Sequence, residues 1–317
     1  MQISILGAGR WGSTIAWVQQ QAGRKVILWN RGEELIKEWL ATRKNKYLSL
    51  PKEVEITGDL AKALTSEVIF IAIRAQSFRD FCQVLAKQKP ARKLFILAMK
   101  GLEEKTGKRL SEIFGEYFDQ RNQIGMLAGP GHPQEISKHI PTIMTCAAAD
   151  QAWLPKAIKV CETPLMKIFP NRDLLGVEVG AAIKNIMGLA GGILSALNCP
   201  SFKSYLLARG PVEVGRLISA MGGNYQTAFG LSHLGDFGAT VFSGFSYNHQ
   251  AGELWVKERK LSEMAEGIPT LKAVKVLMEK YKVDMPICEA IYKILYKKMA
   301  PQELIKALLN RKTEPED

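Results

Sequence analysis

The feature that most constrains the fold is a glycine-rich turn near the start of the chain. Residues 1–6 form a short apolar run of strand type, and Gly-Ala-Gly-Arg-Trp-Gly follows at 7–12, before a helix-like segment. In such a turn Gly7 makes the tight bend, Gly9 lets the backbone approach a pyrophosphate, and Gly12 lets helix and strand pack closely. The N–H groups at the helix start can bind phosphates. The pattern therefore predicts a dinucleotide-binding unit.

Alternating strand and helix signals extend this unit into a larger sheet. Continuous apolar runs, typical of strands buried on both faces, and other strand candidates occur at 25–29, 54–57, 68–73, 94–98, 124–128, 142–147 and 165–169. This alternation predicts a mostly parallel, doubly wound Rossmann-type sheet of the α/β class, with ligands at the carboxyl ends of the strands. It disfavours the alternative, a structural glycine turn in some other kind of protein.

The second half of the chain has a different pattern. From Asp173 onward the sequence favours helices with small or apolar faces and shows almost no strand signal. A chain of 317 residues is also longer than one core usually serves. We therefore predict a Rossmann domain at 1–172 and an all-helical substrate and catalytic domain at 173–317.

The charge and the cysteines limit the classes of partner. The net charge is +12 and the excess of basic residues lies mainly in the first half, which suits anionic ligands such as nucleotide phosphates. There is no dense basic run or zinc-finger spacing, so nucleic-acid binding is not expected. The five cysteines lie far apart without histidine partners at ligand spacing, which predicts buried, reduced thiols and no metal site.

Two features of the sequence bear on where in the cell the protein is expected: its apolar segments and the start of the chain. By sequence, no apolar run approaches the length needed to cross a bilayer, so no membrane span is expected. The first strand begins at Gln2, which leaves no room for a signal peptide. We therefore expect a cytoplasmic protein.

The end of the second predicted strand bears on cofactor choice. An Asp or Glu at this place binds the ribose 2′-hydroxyl of NAD, whereas an Arg can accommodate the 2′-phosphate of NADP. Here the strand ends in Asn30-Arg31. The sequence thus allows NAD or NADP and favours NADPH, unless Arg31 is an ordinary solvated loop residue.

A lysine in the helical half is the first candidate for chemistry. Lys184 stands mid-helix among Gly, Ala, Ile and Met, with no acidic residue three or four positions away. Burial without a partner lowers the pKa of a lysine and makes it a usable proton donor near neutral pH. The alternative is a lysine whose ammonium group reaches the surface.

Taken together, the chain resembles the bacterial NAD(P)-dependent glycerol-3-phosphate dehydrogenases over nearly its full length. The glycine turn and the Lys184-Asn185 pair are two of many blocks that match in order. The matching blocks lie at 7–12, 29–31, 100–103, 129–130, 176–185, 203–210, 230–231, 235–236, 246–248 and 266–267.

The resemblance implies an enzyme that moves hydride between a nicotinamide and C2 of dihydroxyacetone phosphate, giving sn-glycerol 3-phosphate for phospholipid synthesis. Lys184 matches the general acid toward the ketone, and Lys100 a lysine that touches both substrate and cofactor. A cationic lysine stabilises the oxyanion that hydride addition creates, and a carboxylate such as Asp236 can hold it. Lys184, Lys100 and Asp236 are thus the implied catalytic residues.

The resemblance also implies two sets of binding residues and no metal. Helical second domains of this sort often dimerise, so a homodimer acting on a small phosphorylated substrate is expected. The implied cofactor-binding residues are Gly7, Gly9, Arg10, Trp11, Gly12, Arg31, Lys100, Pro133 and Glu266. The implied substrate-binding residues are Lys100, Gly129, Gly131, Lys184, Asn185, Asp236, Thr240, Ser246, Tyr247 and Asn248.

Some positions depart from the family pattern. The family's Ser-Arg-Asn stands here as Ser-Tyr-Asn at 246–248, and a tyrosine hydroxyl cannot make the bidentate phosphate contact of the missing arginine. Arg10, Arg74 or Lys203 could compensate. The other departures, besides Arg10 and Arg74 themselves, are Gly131, Pro133 and Ser201.

Three functions therefore remain open from the sequence. The first is a glycerol-3-phosphate dehydrogenase with a rearranged phosphate site. The second is a paralogous reductase of another small ketone or hydroxy compound, and Tyr247 is the residue that separates these two. The third is a non-catalytic dinucleotide-binding protein, which Lys100, Lys184 and Asp236 disfavour.

Overall fold

A computed structural model describes residues 1–242, 246–260 and 265–310. By its internal contacts the chain divides into a first unit, residues 1–100 with 109–178, and a second unit, residues 101–108 with 179–317. Relative to the ranges predicted from sequence, residues 101–108 group with the helical unit and residues 173–178 with the sheet unit.

The first unit is built on an eight-stranded sheet. The strand order is β3-β2-β1-β4-β5-β6-β7-β8, and every neighbouring pair is parallel except β6 with β7. This confirms the predicted doubly wound, mostly parallel sheet. The strands are β1 Gln2–Leu6, β2 Lys25–Trp29, β3 Val54–Thr57, β4 Val68–Ile71, β5 Leu94–Leu97, β6 Gln123–Ala128, β7 Thr142–Ala148 and β8 Met166–Asn171.

Helices cover the sheet and shield its central strands. All four residues of β4 and of β5 are buried, as their continuous apolar runs require of strands packed on both faces. The helices of this unit are α1 Arg10–Gln21, α2 Glu33–Thr42, α3 Leu60–Ala63, α4 Phe78–Lys87, α5 Leu110–Gly115, α6 Pro133–Ile136 and α7 Leu154–Cys161.

In the part of the chain that the structure describes, the regular elements of the second unit are all helices, which confirms the predicted helical C-terminal domain. A 3-10 turn at Tyr225–Phe229 and a π-helical turn at Leu231–Gly235 precede α10. The helices are α8 Leu174–Ala196, whose first five residues belong to the first unit, α9 Pro200–Ala220, α10 Asp236–Val241, α11 Tyr247–Glu258, α12 Gly267–Tyr281, α13 Pro286–Tyr296 and α14 Glu303–Leu309.

The long helix α8 corrects one statement made from sequence. Its 23 residues are long and apolar enough to cross a membrane by length and composition, although no such run was expected. However, 83% of its most apolar 18-residue window is buried inside the structure. Burial of this extent is that of a core helix, since a helix that is apolar all round needs neighbours on every side.

Glycines let the neighbouring helices approach α8 closely. A Cβ at Gly192 would lie 2.0 Å from the backbone oxygen of His249 on α11, and one at Gly252 would lie 2.2 Å from that of Leu189. A Cβ at Gly267, the first residue of α12, would lie 2.6 Å from the backbone oxygen of Asn185. Side chains at these glycines would therefore separate the helices around the middle of α8.

Candidate active site

The glycine turn links β1 to α1 and leaves no space at two of its glycines. Gly7 has a φ of 116°, in the left-handed region, and a Cβ there would lie 2.4 Å from the backbone oxygen of Ala72. A Cβ at Gly12 would lie 1.8 Å from the backbone oxygen of Gly7. Only glycine fits at either position. These contacts set α1 directly on the end of the strand.

The third glycine of the turn is open. A Cβ at Gly9 would meet nothing within 4 Å. Gly9 is the N-cap residue of the 12-residue helix α1, and no side-chain hydrogen bond caps this helix. Its first-turn N–H groups and the positive end of its dipole therefore suit a pyrophosphate. The turn has the shape and the donors that a dinucleotide requires.

Cationic and aromatic residues flank this turn within the first unit. The guanidinium carbon of Arg10 lies 5.6 Å from the ring centroid of Tyr47. The amide of Asn45 donates to Ser13 Oγ at 2.9 Å, which ties the segment before Tyr47 to α1. Arg31 is exposed just beyond the carboxyl end of β2. A cofactor phosphate at this end of the sheet would thus meet positive charge.

The carboxyl ends of β5 and β6 carry the other predicted residues of this unit. Lys100 Nζ donates to the backbone oxygen of Gly129 at 3.0 Å, which joins the ends of the two strands. A Cβ at Gly131 would lie 2.8 Å from Cη2 of Trp11, so the Trp11 ring packs against this loop. Pro133 is buried at the start of α6. The structure thus brings Trp11, Lys100, Gly129 and Gly131 to one edge of the sheet.

Lys184 is mostly buried in the second unit, beside a carboxylate. Its Nζ lies 3.1 Å from Asp236 Oδ1, and the two side chains are 12% and 3% exposed. Lys184 Nζ also donates to Thr240 Oγ1 at 3.1 Å, while that hydroxyl donates to the backbone oxygen of Asp236 at 2.7 Å. The acidic partner that Lys184 lacks along its own helix is therefore supplied by α10.

Asn185 and Asn248 form a second polar cluster next to this ion pair. Asn248 Nδ2 donates to Asn185 Oδ1 at 3.0 Å, and Asn248 Oδ1 accepts from the backbone N–H of Gly267 at 2.8 Å. A Cβ at Gly188 would lie 2.9 Å from Thr240 Cγ2 and 3.0 Å from Asn248 Cβ. Gly188 thus lets the Thr240 and Asn248 side chains lie together on α8.

The remaining predicted residues of the second unit lie at helix starts. Ser246 is the N-cap of α11, and its Oγ accepts from the backbone N–H of His249 at 3.3 Å. Tyr247 is the first residue of α11 and is partly exposed. Glu266 is the N-cap residue of α12, and its backbone oxygen accepts from Thr270 Oγ1 at 2.7 Å. Of the three, Ser246 caps its helix with its side chain.

His233 is a residue beside this site that the sequence analysis missed. It is fully buried three residues before Asp236, and its Nδ1 lies 2.9 Å from the backbone oxygen of Gly180. Burial lowers the pKa of His233 to about 4, against smaller opposing effects of the Gly180 oxygen and Asp236. The imidazole is therefore neutral at pH 7. A histidine close in sequence to a candidate Asp was the available signal.

Two sequence profiles match this chain and between them cover most of it. The profile of the N-terminus of NAD-dependent glycerol-3-phosphate dehydrogenase matches residues 2–154, and that of the C-terminus matches residues 173–306. The chain belongs to the NAD-dependent glycerol-3-phosphate dehydrogenase family. The resemblance inferred from the sequence blocks is thereby confirmed.

Relatives of the family match nearly the whole chain. A glycerol-3-phosphate dehydrogenase (NAD(P)+) from Lysinibacillus sphaericus strain C3-41 is 35% identical over 325 residues, covering 98% of this chain and 96% of the relative. One from Thermoanaerobacter sp. strain X514 is 35% identical over 327 residues, covering 98% and 97%. The crystal structure of glycerol-3-phosphate dehydrogenase from Coxiella burnetii has a TM-score of 0.90 at 27% identity, covering 98% and 99%. The fold of the described residues is thus similar to that of a solved member of the family.

Proposed function

We propose that this chain is an NAD(P)-dependent glycerol-3-phosphate dehydrogenase, which moves hydride between NAD(P)H and C2 of dihydroxyacetone phosphate to give sn-glycerol 3-phosphate. The observation that carries the proposal is the mostly buried Lys184 ammonium beside the buried carboxylate of Asp236. Membership of a family whose curated relatives carry this name supports the reaction and the cofactor class.

The first unit fits the cofactor at the glycine turn. The open space at Gly9 and the uncapped start of α1 suit the pyrophosphate, and exposed Arg31 suits a 2′-phosphate. When bound, the nicotinamide supplies or accepts the hydride. We assign cofactor binding to Gly7, Gly9, Arg10, Trp11, Gly12, Arg31, Lys100, Pro133 and Glu266.

Lys184 acts as the general acid in this account. As the carbonyl carbon accepts the hydride, negative charge develops on its oxygen, and the Lys184 ammonium stabilises that charge and donates a proton to it. In the reverse direction the neutral amine takes the proton of the C2 hydroxyl. Asp236 and Thr240 hold the ammonium at 3.1 Å each, so its position is set before the substrate binds.

Other polar residues bind the substrate. Lys100 provides a second positive charge, at the edge of the sheet where its Nζ is already fixed on Gly129. Asn185 follows Lys184 directly on α8 and offers an amide group. The remaining substrate-binding residues of this proposal are Gly129, Gly131, Ser246, Tyr247 and Asn248.

Tyr247 supports a second candidate, a paralogous reductase that acts on another small ketone. The resemblance places the phosphate-binding arginine of the family at this position, and a tyrosine provides neither its charge nor its paired donors. Compensation by Arg10, Arg74 or Lys203 would retain the phosphorylated substrate. The non-catalytic alternative is disfavoured because Lys184 and Asp236 already form the ion pair that the chemistry requires.

The finer properties of the enzyme belong to the same proposal. Arg31 favours NADPH over NADH. We place the protein in the cytoplasm, supplying the glycerol phosphate backbone for phospholipid synthesis. A homodimer is the expected assembly. Size-exclusion chromatography with light scattering would then give twice the chain mass of 35.2 kDa.

Steady-state oxidation of NADH and NADPH tests the reaction, measured by absorbance with dihydroxyacetone phosphate and, in parallel, with unphosphorylated dihydroxyacetone. The proposal predicts turnover with the phosphate and far less without it. Equal turnover with both ketones would favour the paralogous reductase, and no turnover with either cofactor would reject the leading function.

A further inference from the structure

The π-helical turn at Leu231–Gly235 leads directly into Asp236, the first residue of α10. Within the turn, the Gly235 N–H donates to the backbone oxygen of Gly230 at 3.1 Å. The carboxylate that lies 3.1 Å from Lys184 Nζ thus follows this turn without an intervening residue. The position of Asp236 relative to Lys184 therefore depends on how the turn is held on α8.

His233, in the middle of this turn, contacts the backbone of α8. Its Nδ1 lies 2.9 Å from the backbone oxygen of Gly180, and the residue is fully buried. A carbonyl oxygen can only accept, so Nδ1 must carry a proton. In an α-helix the oxygen of residue 180 also accepts from the N–H of residue 184. His233 therefore binds the peptide group that supports the backbone of Lys184.

Gly180 lets the turn approach α8 this closely. A Cβ at Gly180 would lie 2.9 Å from His233 Cβ and 3.6 Å from Ser232 Oγ. The first distance is well below a normal carbon–carbon contact, so a side chain at Gly180 would displace the turn. Gly180 and Lys184 are four residues apart and share one face of the helix. The turn is thus held on α8 one helical turn before the ammonium.

The same histidine ring packs against α10. The ring centroids of His233 and Phe237 lie 5.7 Å apart, and Phe237, which follows Asp236, is fully buried. On α8, His233 contacts the residue one turn before Lys184, and on α10 it contacts the neighbour of Asp236. A single side chain therefore joins the two helices that supply the ion pair.

His233 also lies close enough to the ion pair to be affected by both of its charges. Burial lowers the pKa of His233 to about 4, and among the smaller effects Asp236 raises this pKa while Lys184 lowers it. The ring is therefore neutral at pH 7. A neutral ring leaves the carboxylate to the ammonium, whereas an imidazolium would compete with Lys184 for it.

Stability alone does not explain a histidine at this position. Within the part of the chain that the structure describes, its Nε2 is fully buried without a hydrogen-bond partner. A buried acceptor that is left unpaired destabilises the folded state, and an apolar side chain of similar size would avoid this. The donor at Nδ1 is the feature of His233 that an apolar residue could not supply.

We infer that His233 is a positioning residue for the reaction, which holds the π-helical turn and α10 on α8 so that Asp236 meets the Lys184 ammonium. The inference rests on the proposed function and adds a residue to it. Since the ring is fully buried, His233 acts through Asp236 and Lys184 and not by contact with the substrate. It requires the donor at Nδ1 and the glycine at position 180.

Two substitutions at His233 separate the donor from the packing. His233→Leu fills the space without a donor, so kcat for reduction of dihydroxyacetone phosphate should fall about 10- to 100-fold, with KM and the Kd of NADPH nearly unchanged. In His233→Asn, Nδ2 takes the place of Nδ1 and most of kcat should be retained. His233→Asn also loses the ring packing on Phe237, so it should have the lower Tm of the two. A residue that only stabilises the fold would not give a less stable but faster variant.

Gly180→Ala tests the same contact from α8 and keeps the histidine. The added methyl group displaces the turn, so kcat should fall although alanine favours a helix more than glycine does. Wild-type kcat in this variant would contradict the inference.

A double-mutant cycle tests whether His233 acts through Asp236. In Asp236→Asn the carboxylate is already lost, so adding His233→Leu should lower kcat little further. Losses that multiply would show that His233 does not act through Asp236, and they would overturn the inference.

Asn122→Leu is the matched control. Asn122 is 7% exposed in the first unit, and its Nδ2 donates to the backbone oxygen of Pro90 at 2.8 Å, so this variant also removes a buried donor to a carbonyl. It should lower Tm without changing kcat. Wild-type kcat in His233→Leu, or equal kcat in His233→Leu and His233→Asn, would overturn the inference alone. A wild type that is inactive with dihydroxyacetone phosphate would overturn the proposed function and the inference with it.

Discussion

At the scale of single residues, the Lys184–Asp236 ion pair is not explained by stability, because taking both charges out of water costs free energy. Replacing a buried ion pair by apolar residues is often neutral or stabilising. Removing one partner, however, leaves an uncompensated charge and costs about 3–5 kcal/mol. A pair at 12% and 3% exposure is thus better explained by the need for a fixed ammonium than by stability.

His233 makes the stability of the protein depend on pH. Burial lowers its pKa to about 4, whereas in the unfolded chain the value is near 6.5. Between these values the unfolded chain binds a proton that the folded protein does not, so the free energy of unfolding falls as pH falls from 6.5 toward 4. This contribution amounts to about 3 kcal/mol, at 1.36 kcal/mol per pKa unit.

The variant His233→Gln removes this titration. In urea unfolding between pH 7 and pH 4, its free energy of unfolding should fall less steeply than that of the wild type. His139→Gln, at an exposed histidine, is the control and should follow the wild type. Parallel curves for wild type and His233→Gln would contradict the assigned burial effect.

Tyr247 is the residue that separates the two candidate enzymatic functions in our proposal. Arginine at this position would restore a charge and paired donors for a phosphate. Tyr247→Arg should therefore lower KM for dihydroxyacetone phosphate by roughly 10-fold or more, the usual scale of a charge-assisted hydrogen bond, while KM for unphosphorylated dihydroxyacetone stays the same. An unchanged or higher KM for the phosphate would show that the phosphate is bound elsewhere.

At the scale of elements, two glycines of the turn have different expected roles: Gly12 is needed for folding and Gly9 for cofactor binding. A Cβ at Gly12 would lie 1.8 Å from a backbone oxygen, whereas one at Gly9 would meet nothing within 4 Å. Gly12→Ala should lower the free energy of unfolding by more than about 2 kcal/mol, since backbone must move. Gly9→Ala should cost less than about 1 kcal/mol, yet weaken NADPH binding, since its methyl group occupies the space beside α1.

Thermal unfolding and calorimetric titration with NADPH check this pair. Each alanine serves as the control for the other. Strong destabilisation by Gly9→Ala, or full NADPH affinity in that variant, would contradict the pyrophosphate position at the start of α1.

The end of β2 is where we propose that the enzyme distinguishes between the two cofactors. Arg31 is exposed there and can pair with a 2′-phosphate, so Arg31→Ala should raise the Kd of NADPH by about 10-fold or more, on the scale of a charge-assisted hydrogen bond, and leave that of NADH nearly unchanged. Lys37→Ala, which removes an exposed charge on α2, is the control for a general electrostatic effect. Equal effects of Arg31→Ala on both cofactors would show that Arg31 does not contact the 2′-phosphate.

Strands were easier to predict than short helices, for a physical reason. Buried parallel strands such as β4 and β5 are continuous apolar runs, and such runs are visible in the sequence. The four-residue helix α6 and the π-helical turn at Leu231–Gly235 have too few residues for a periodic pattern. These short elements form because of contacts with neighbouring parts of the fold, which the sequence does not show.

At the scale of the whole molecule, the sequence nominates candidate site residues, but it does not show the contacts that hold them. Lys184 is a candidate from sequence because a lysine among small apolar residues is unusual. Its partners on α10 lie more than fifty residues away, so no spacing rule links them. The hydrogen bond that Asn248 Oδ1 accepts from the Gly267 N–H is likewise invisible in sequence, because its donor is a main-chain group. Contacts between distant segments need the folded chain.

The central claim is that this chain reduces dihydroxyacetone phosphate with Lys184 as the general acid. The most direct measurement compares the wild type with Lys184→Ala in single-turnover reduction by NADPH, with formation of sn-glycerol 3-phosphate as the readout and the Kd of NADPH measured alongside. The account predicts product from the wild type, a rate about 10²- to 10⁴-fold lower in the variant, and the same Kd. A Lys184→Ala enzyme that forms product at the wild-type rate, or a wild type that forms none, would contradict it.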